Sequence, residues 1–428
     1  MINRRQFIRN TALAGAALGS GKLLAKPAAA EKSLPPPIAA LKSMKDQARP
    51  ISKEERRQRI ERARELMATN KLDAILMCGG TSLVYFSNIE WWLSERFFGM
   101  VLPAKGNPFY VCPGFERDRA MEQIAEGPLD KDPDVRTWQE DENPYALVAQ
   151  GLKDRGIASG KLGIEERTYF VYGNSIAQLA PALELVSATP VTAGCRRIKS
   201  DAELALMQLA NTVTLKAYEA AYRSLKEGMT QDEFAHLVSA AHEQLGFKGG
   251  ASVQVGEYSA LPHGSKQPQV VRADSILLID GGGTAEGYQS DISRTFVLGK
   301  PVDKMKKIFD IVHRAQSAAL AQARPGVEAQ SVDAAARKVI ADAGYGADYE
   351  HFTHRVGHGI GMDVHEWPYL VRGNKTQLEP RMTFSDEPGI YLRGEFGVRL
   401  EDDMHITEDG AKLFTPQSPS FEEPFGKA

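Results

Sequence analysis

Ser275-Ile276-Leu277-Leu278-Ile279-Asp280 is a continuous apolar run closed by a carboxylate. It is followed by Gly281-Gly282-Gly283 and then by Tyr288-Gln289-Ser290-Asp291-Ile292-Ser293-Arg294-Thr295-Phe296. The first run predicts a buried strand, the three glycines a tight turn, and the alternation after Tyr288 a returning strand. Such a hairpin brings Asp280 and Asp291 together at one end of a sheet. Two carboxylates side by side in an interior repel strongly unless a cation lies between them. Read alone, the pair is equally compatible with one capping and one surface aspartate.

Two clusters downstream shift that balance. His354-Arg355-Val356-Gly357-His358-Gly359-Ile360-Gly361-Met362-Asp363-Val364-His365-Glu366 sets two histidines in a glycine-rich frame that lets backbone approach closely. His358 and His365 are seven apart, too far for the i, i+4 pair of a helical zinc motif. Phe384-Ser385-Asp386-Glu387-Pro388-Gly389 turns just after a glutamate. Gly397-Val398-Arg399-Leu400-Glu401-Asp402 reads as a strand with Arg399 and Glu401 on one face, Val398 and Leu400 on the other. Four carboxylates and one imidazole form an oxygen-rich set suited to divalent ions of the manganese, iron, cobalt or zinc kind.

Upstream, Asp201–Leu225 and Thr230–Leu245 predict helices, the second capped by Thr230. Two more follow at Lys304–Ala323 and Ser331–Ala343. In the first half, a helix at 52–70 precedes short strands at 74–77, 100–102, 109–111 and 161–164, with helices at 115–126 and 144–155. That alternation is the pattern of an α/β layer. The 428 residues suit two domains plus appendages. The organisation predicted is a signal at 1–30, a stiff structureless linker at 31–50 around Pro35-Pro36-Pro37, an N-terminal domain at 51–195 and a catalytic domain at 196–420.

Charged residues are 25% of the chain and the net charge is −3, which argues against a nucleic-acid partner. No run of eighteen apolar residues suggests a membrane span. The three cysteines, Cys78, Cys112 and Cys195, lack paired spacing and predict buried free thiols. The opening Met1-Ile2-Asn3-Arg4-Arg5-Gln6-Phe7-Ile8-Arg9, an Ala/Gly/Leu stretch and Ala28-Ala29-Ala30 have the layout of a secretory signal of the twin-arginine type. The compartment this predicts is the periplasm, with no membrane attachment of the mature form.

The catalytic-half segments resemble the pita-bread metallopeptidases, closest to the proline-specific branch of aminopeptidase P and prolidase. The match runs in order through Leu261-Pro262-His263, Asp280 and Asp291, Gly357-His358-Gly359, His365, Glu387 and Arg399-Leu400-Glu401-Asp402. The first half resembles that branch's N-terminal domain more weakly. The resemblance implies an α+β fold: a C-terminal pita-bread (creatinase/aminopeptidase) domain preceded by a smaller α/β creatinase-like domain. It implies a peptidase cutting the bond before proline, as Xaa-Pro aminopeptidase or Xaa-Pro dipeptidase, through a metal-bridging hydroxide. Asp291 and Glu401 would bridge two divalent ions, Mn²⁺ foremost with Co²⁺, Zn²⁺ or Fe²⁺ also suitable. Asp280 would chelate one ion, and His358 with Glu387 would complete the other. Glu387 would act as general base, His365 would bind the tetrahedral intermediate, and His263 would position substrate. Arg399 and Ser293 would support the carboxylates. A small peptide is the implied substrate and a homodimer the implied assembly.

Two positions depart from the branch. Tyr258 stands where many relatives have asparagine, and Tyr369 where some prolidases have a carboxylate-clamping arginine, a role Arg372 or Arg399 could take. Trp91, beside Trp92, is a candidate for the substrate cleft, with core packing as its alternative. Competing functions are a non-peptidase metal-dependent hydrolase or lyase on the same fold, and a binding protein without activity. A creatinase-type enzyme dispenses with the metal ligands, whereas all five are present here.

Overall fold

A computed structural model of the chain describes residues 33–129, 132–346 and 348–426. The signal read from residues 1–30 lies outside them. Helix Lys53–Asn70 starts where the Ser52 hydroxyl accepts from the Glu55 amide at 3.1 Å, and buries the stripe Ile60, Ala63 and Met67. It covers a mixed six-stranded sheet of β1 (Ala74–Cys78), β2 (Gly99–Pro103), β3 (Phe109–Pro113), β4 (Asp134–Trp138), β5 (Gly160–Ile164) and β6 (Leu183–Ser187), in the order β4-β3-β2-β1-β5-β6. The central strands β1, β2 and β3 are buried along their whole length, so they read as unbroken apolar runs. The edge strands β4 and β6 are only partly buried and carry mixed sequences, DVRTW and LELVS. An edge needs no two-sided apolar run, which is why they escaped the sequence reading. The three cysteines are free and buried, and burial pushes each thiol up to about 12.

The stretch expected to be a structureless linker is not. Pro36–Ala39 forms a helical turn with Ile38 fully buried, and the Met44 amide donates to the Leu245 carbonyl at 2.9 Å.

In the catalytic half, helices Asp201–Tyr222 and Gln231–Leu245 each open with a capping box, Ser200 with Glu203 and Thr230 with Glu233. They pack on a sheet of β7 (Lys248–Val255), β8 (Ser275–Ala285), β9 (Tyr288–Gln289) and β10 (Ile292–Leu298), in which β8 is central. Helices Asp303–Gln322 and Ala329–Asp342 pack on the other strands. These are β11 (Gly357–Gly359), β12 (Glu366–Leu370), β13 (Thr383–Asp386), β16 (Asp402–Ile406) and β17 (Ala411–Leu413), with the hairpin β14 (Gly389–Leu392) and β15 (Phe396–Arg399) beside them. The two layers meet at β10, whose neighbours include β15 and β16.

Two local expectations are corrected. Gly281–Gly283 are not a turn: they lie inside β8, and the chain reverses at Glu286 and Gly287, both with positive φ. The glycines are needed for close approach. A Cβ on Gly281 would lie 2.7 Å from the Gly250 carbonyl oxygen, and one on Gly282 would be driven into the Ser290 carbonyl. Likewise 397–402 is not one strand. β15 ends at Arg399 and β16 starts at Asp402, with Leu400 and Glu401 as the buried link.

Candidate metal centre

Antiparallel pairing of β8 with β10 sets Ser293 opposite Asp280 and leaves Asp291 just ahead of β10. The link between β15 and β16 brings Glu401 against the same strand, its amide donating to the Ser293 carbonyl at 3.2 Å. His358 comes from β11 and Glu387 from the turn after β13. Four separate chain segments thereby line one cavity of about 400 Å³ with Asp280, Asp291, His358, Glu387 and Glu401. Ligand atoms of Asp280, Asp291 and Glu401 lie within 4.8 Å of one another, as do those of His358, Glu387 and Glu401. A third such group joins Asp291 and His358 to His365.

The electrostatics are those of buried carboxylates crowded against one another. Burial, then the neighbouring Asp280, Asp403 and Glu387, pushes the Asp291 carboxyl well above its usual range. Burial and Asp291 do the same to Glu401, and burial raises Glu387 to about 7. Burial alone would raise Asp280 too, but the Arg399 guanidinium at 2.7 Å and the Ser293 hydroxyl hold it low. Ser293 Oγ lies 2.6 Å from Asp280 Oδ1 and 2.7 Å from Glu401 Oε2. Its single proton serves one of them at a time, so the other faces a lone pair unless a proton or cation intervenes. His358 is held neutral, down to about 3, by burial, and its Nε2 is 3.3 Å from Glu387 and 3.7 Å from Asp291. A neutral imidazole among clustered carboxylates is the donor set a divalent cation requires.

His263 and His365 are both exposed and line the same cavity. The His365 ring stands 4.1 Å from that of His358, centroid to centroid. Arg399 is buried and fully engaged: it meets Asp280, donates to Ser293 Oγ at 2.8 Å and the Pro262 carbonyl at 3.1 Å, and reaches Tyr391 Oη at 2.9 Å. Tyr391 in turn bonds His354 Nε2 at 2.7 Å.

Other candidates lie elsewhere. Trp91 is stacked on Phe98 at 4.2 Å beneath the Arg119 guanidinium, in the N-terminal core rather than on the cavity wall. Tyr258 sits in a 3₁₀ turn off the lining. Tyr369 lines a smaller neighbouring cleft, and Arg372 is half-exposed against Asp348. The cavity arginine beside Tyr369 is Arg355, whose guanidinium lies 4.1 Å from the ring centroid. It stands in the quoted glycine-rich cluster, but nothing in its spacing distinguishes it from a surface cation.

The loop carrying His365 is clamped on both sides. Asp363 Oδ2 meets Arg196 at 2.5 Å, and Asp363 Oδ1 accepts from Thr81 at 2.6 Å and Arg167 at 3.0 Å. Glu366 pairs with Arg196 and with Lys199 at 3.1 Å. Despite burial, Arg196 and Lys199 pull the Glu366 carboxyl down from 4.5 to about 2. A depressed carboxylate stabilises the fold above its unfolded pKa and loses that contribution as pH falls through the folded one. Wild type is therefore expected to lose about 3 kcal/mol, relative to Glu366→Gln, between pH 5 and pH 2. Urea unfolding of both proteins across that range measures it; a difference that stays constant with pH refutes it.

Residues 205–408 match the family model of metallopeptidase family M24, and residues 59–198 match the creatinase/prolidase N-terminal domain. The chain is 33% identical over 368 residues to an Xaa-Pro dipeptidase of Lactobacillus delbrueckii subsp. lactis, covering 84% of this chain and 97% of that one. It belongs to metallopeptidase family M24. Among solved structures, dipeptidase PepE of Mycobacterium ulcerans superposes with a TM-score of 0.80 at 33% identity, over 86% of this chain and 97% of the other. The prolidase of Thermococcus sibiricus gives 0.76 at 30%, over 84% and 96%.

As an M24 enzyme the chain is a metal-dependent hydrolase with a creatinase-type N-terminal domain and a pita-bread catalytic domain. That family implies divalent metals, which the carboxylate and histidine groups fit. The periplasmic assignment is corrected. The M24 relatives are prolidases and dipeptidases from organisms as varied as Lactobacillus, Mycobacterium and Pyrococcus, generally cytosolic enzymes. The assignment had rested on residues 1–30 alone, which lie ahead of both matched domains.

Proposed function

We propose that the chain is an Xaa-Pro dipeptidase that holds two divalent ions. One observation carries the reading: two ligand groups, Asp280/Asp291/Glu401 and His358/Glu387/Glu401, share Glu401 within one small cavity. Asp291 and Glu401 would serve both ions, Asp280 would complete one site, and His358 with Glu387 the other. The oxygen-rich set favours Mn²⁺. Ions bound there supply Lewis-acid polarisation of the scissile carbonyl and acidify water.

The protein's own groups do the rest. Glu387, whose carboxyl burial brings near neutrality, accepts the proton released in the attack and returns it to the leaving proline nitrogen. His365, whose imidazole partial desolvation and the nearby Arg355 and His263 hold below its usual pKa, donates from its ring to the oxygen on which negative charge develops. His263, at the exposed rim, positions the peptide. Arg399 fixes the rotamer of Asp280 through the 2.7 Å contact.

The test is metal-stripped protein titrated with Mn²⁺, read by bound metal per chain and by hydrolysis of Xaa-Pro dipeptides against Xaa-Pro-Yaa tripeptides. Two ions per chain and preferred cleavage of the dipeptide are expected. A single bound ion refutes the paired site, and preference for tripeptides makes the enzyme an aminopeptidase.

A further inference from the structure

His365 is exposed at the cavity, and among the described residues no side chain hydrogen-bonds its ring; its ring contact is with His358. What fixes the imidazole is therefore the backbone on either side of it. Val364 and His365 form an exposed pair between two anchored carboxylates, Asp363 and Glu366. Arg196 Nη2 meets Asp363 Oδ2 at 2.5 Å and also meets Glu366, while the Asp363 amide donates to Glu366 Oε1 at 3.0 Å. One guanidinium thus staples both ends of the exposed pair. The chain leading into it is held by Gln289, whose amide donates to the Gly361 carbonyl at 2.8 Å and whose side chain donates to the Met362 carbonyl at 3.2 Å.

Asp363 and His365 belong to the catalytic half, but Thr81, Arg167 and Arg196, which hold the Asp363 carboxylate, all lie in the N-terminal domain at 59–198. Thr81 opens helix Thr81–Ser87, Arg167 follows β5, and Arg196 ends helix Thr189–Arg196. Donors from separate segments of one domain leave the carboxylate a single position. It is only 14% exposed, so these charge-assisted bonds are little weakened by water.

Resting on the dipeptidase reading, we infer that Asp363 is a positioning residue through which the N-terminal domain sets the His365 imidazole at the reacting centre. Asp363 lies off the wall of the metal-binding cavity and lines the smaller cleft beside it, so it acts only through the chain that carries His365. The imidazole contributes when its N–H is within hydrogen-bond reach of the developing negative charge, and a misplacement of about 1 Å costs on the order of a hundredfold. Catalysis in the C-terminal half then depends on donors supplied by the other domain.

The experiment uses the full chain loaded with Mn²⁺ and alanyl-proline as substrate. The proteins are wild type, Thr81→Val, Thr81→Ser and Arg167→Gln, each checked for bound metal and thermal midpoint. Valine keeps the shape of threonine without its donor, and Arg167 is half-exposed, so its loss leaves the fold intact. Thr81→Val is expected to lower kcat about 10-fold and Arg167→Gln about threefold, with KM and bound metal within about twofold of wild type. Serine should restore the rate. In metal-free protein, the histidine-ring NMR resonance that disappears in His365→Ala should shift in Thr81→Val and return in Thr81→Ser. Unchanged kcat in both variants, a loss carried by KM or metal content instead, or a His365 resonance that stays in place overturns the positioning role and leaves the dipeptidase standing. Failure of wild type to cleave alanyl-proline overturns the Xaa-Pro reading itself, and the positioning role with it.

Discussion

Asp291→Ala is expected to lower kcat/KM on an Xaa-Pro dipeptide by about three orders of magnitude, the scale on which loss of one preorganised charge-stabilising element is felt. Asp291 is the carboxylate that meets both halves of the site: it groups with Asp280 and Glu401 on one side and with His358 and His365 on the other. On the proposed reading, removing it would take a carboxylate from each group. Stability should move the opposite way in metal-free protein. Burial and the charges of Asp280, Asp403 and Glu387 raise the Asp291 carboxyl. A carboxylate with a raised folded pKa opposes folding once pH exceeds its unfolded value. Metal-free Asp291→Ala should therefore melt above metal-free wild type at pH 7, and Mn²⁺ should reverse the order, because ligand binding stabilises only the protein that holds it. A variant that keeps wild-type activity, or wild-type gain in melting temperature with Mn²⁺, refutes the role.

The parts of this site legible in the sequence are those where chemistry and backbone speak together. Asp280 ends an apolar run that nothing but a buried strand would carry, and Gly357 and Gly359 flank His358 where a Cβ would meet the carbonyls of Ser385 and Glu366. Glu387 precedes a Pro-Gly turn. What the sequence could not convey is partnership across segments. Arg355 and Arg399 are both arginines near a ligand, yet one is saturated by Asp280, Ser293 and Tyr391 and the other is not. Tyr369 stands where the resemblance leads one to expect an arginine, and its ring lies 4.1 Å from the guanidinium of Arg355 instead. Gly281–Gly283 looked like a turn because three glycines usually are one. Here they admit the neighbouring β7 and the Ser290 carbonyl, a demand made by chains that pairwise local patterns do not describe. Trp91 shows the limit for aromatic residues, since burial and cleft-lining draw on the same side chain.

Arg294→Met is expected to destabilise the metal-free protein by about 3–5 kcal/mol, the cost of breaking a fully buried ion pair from one side. Arg294 and Asp402 are both inaccessible to solvent and meet at 2.7 Å. The same guanidinium donates to the carbonyls of Glu401 at 2.8 Å, Pro416 at 2.9 Å and Ser293 at 3.1 Å. It therefore neutralises a buried charge and also satisfies the backbone on either side of the catalytic link. Methionine fills comparable volume but leaves Asp402, among the described residues, with the Thr415 and Gln316 side chains at 2.7 and 3.0 Å as partners. The double variant Arg294→Met with Asp402→Asn removes the stranded charge and should recover part of the loss, while the unsatisfied carbonyls keep it below wild type. Because the Glu401 carbonyl is released in both, Mn²⁺ affinity should remain impaired even where stability returns. Urea unfolding with and without metal separates the two effects. A loss under about 1 kcal/mol in the single variant, or full recovery of metal binding in the double, would show that Arg294 does not brace the metal-binding link.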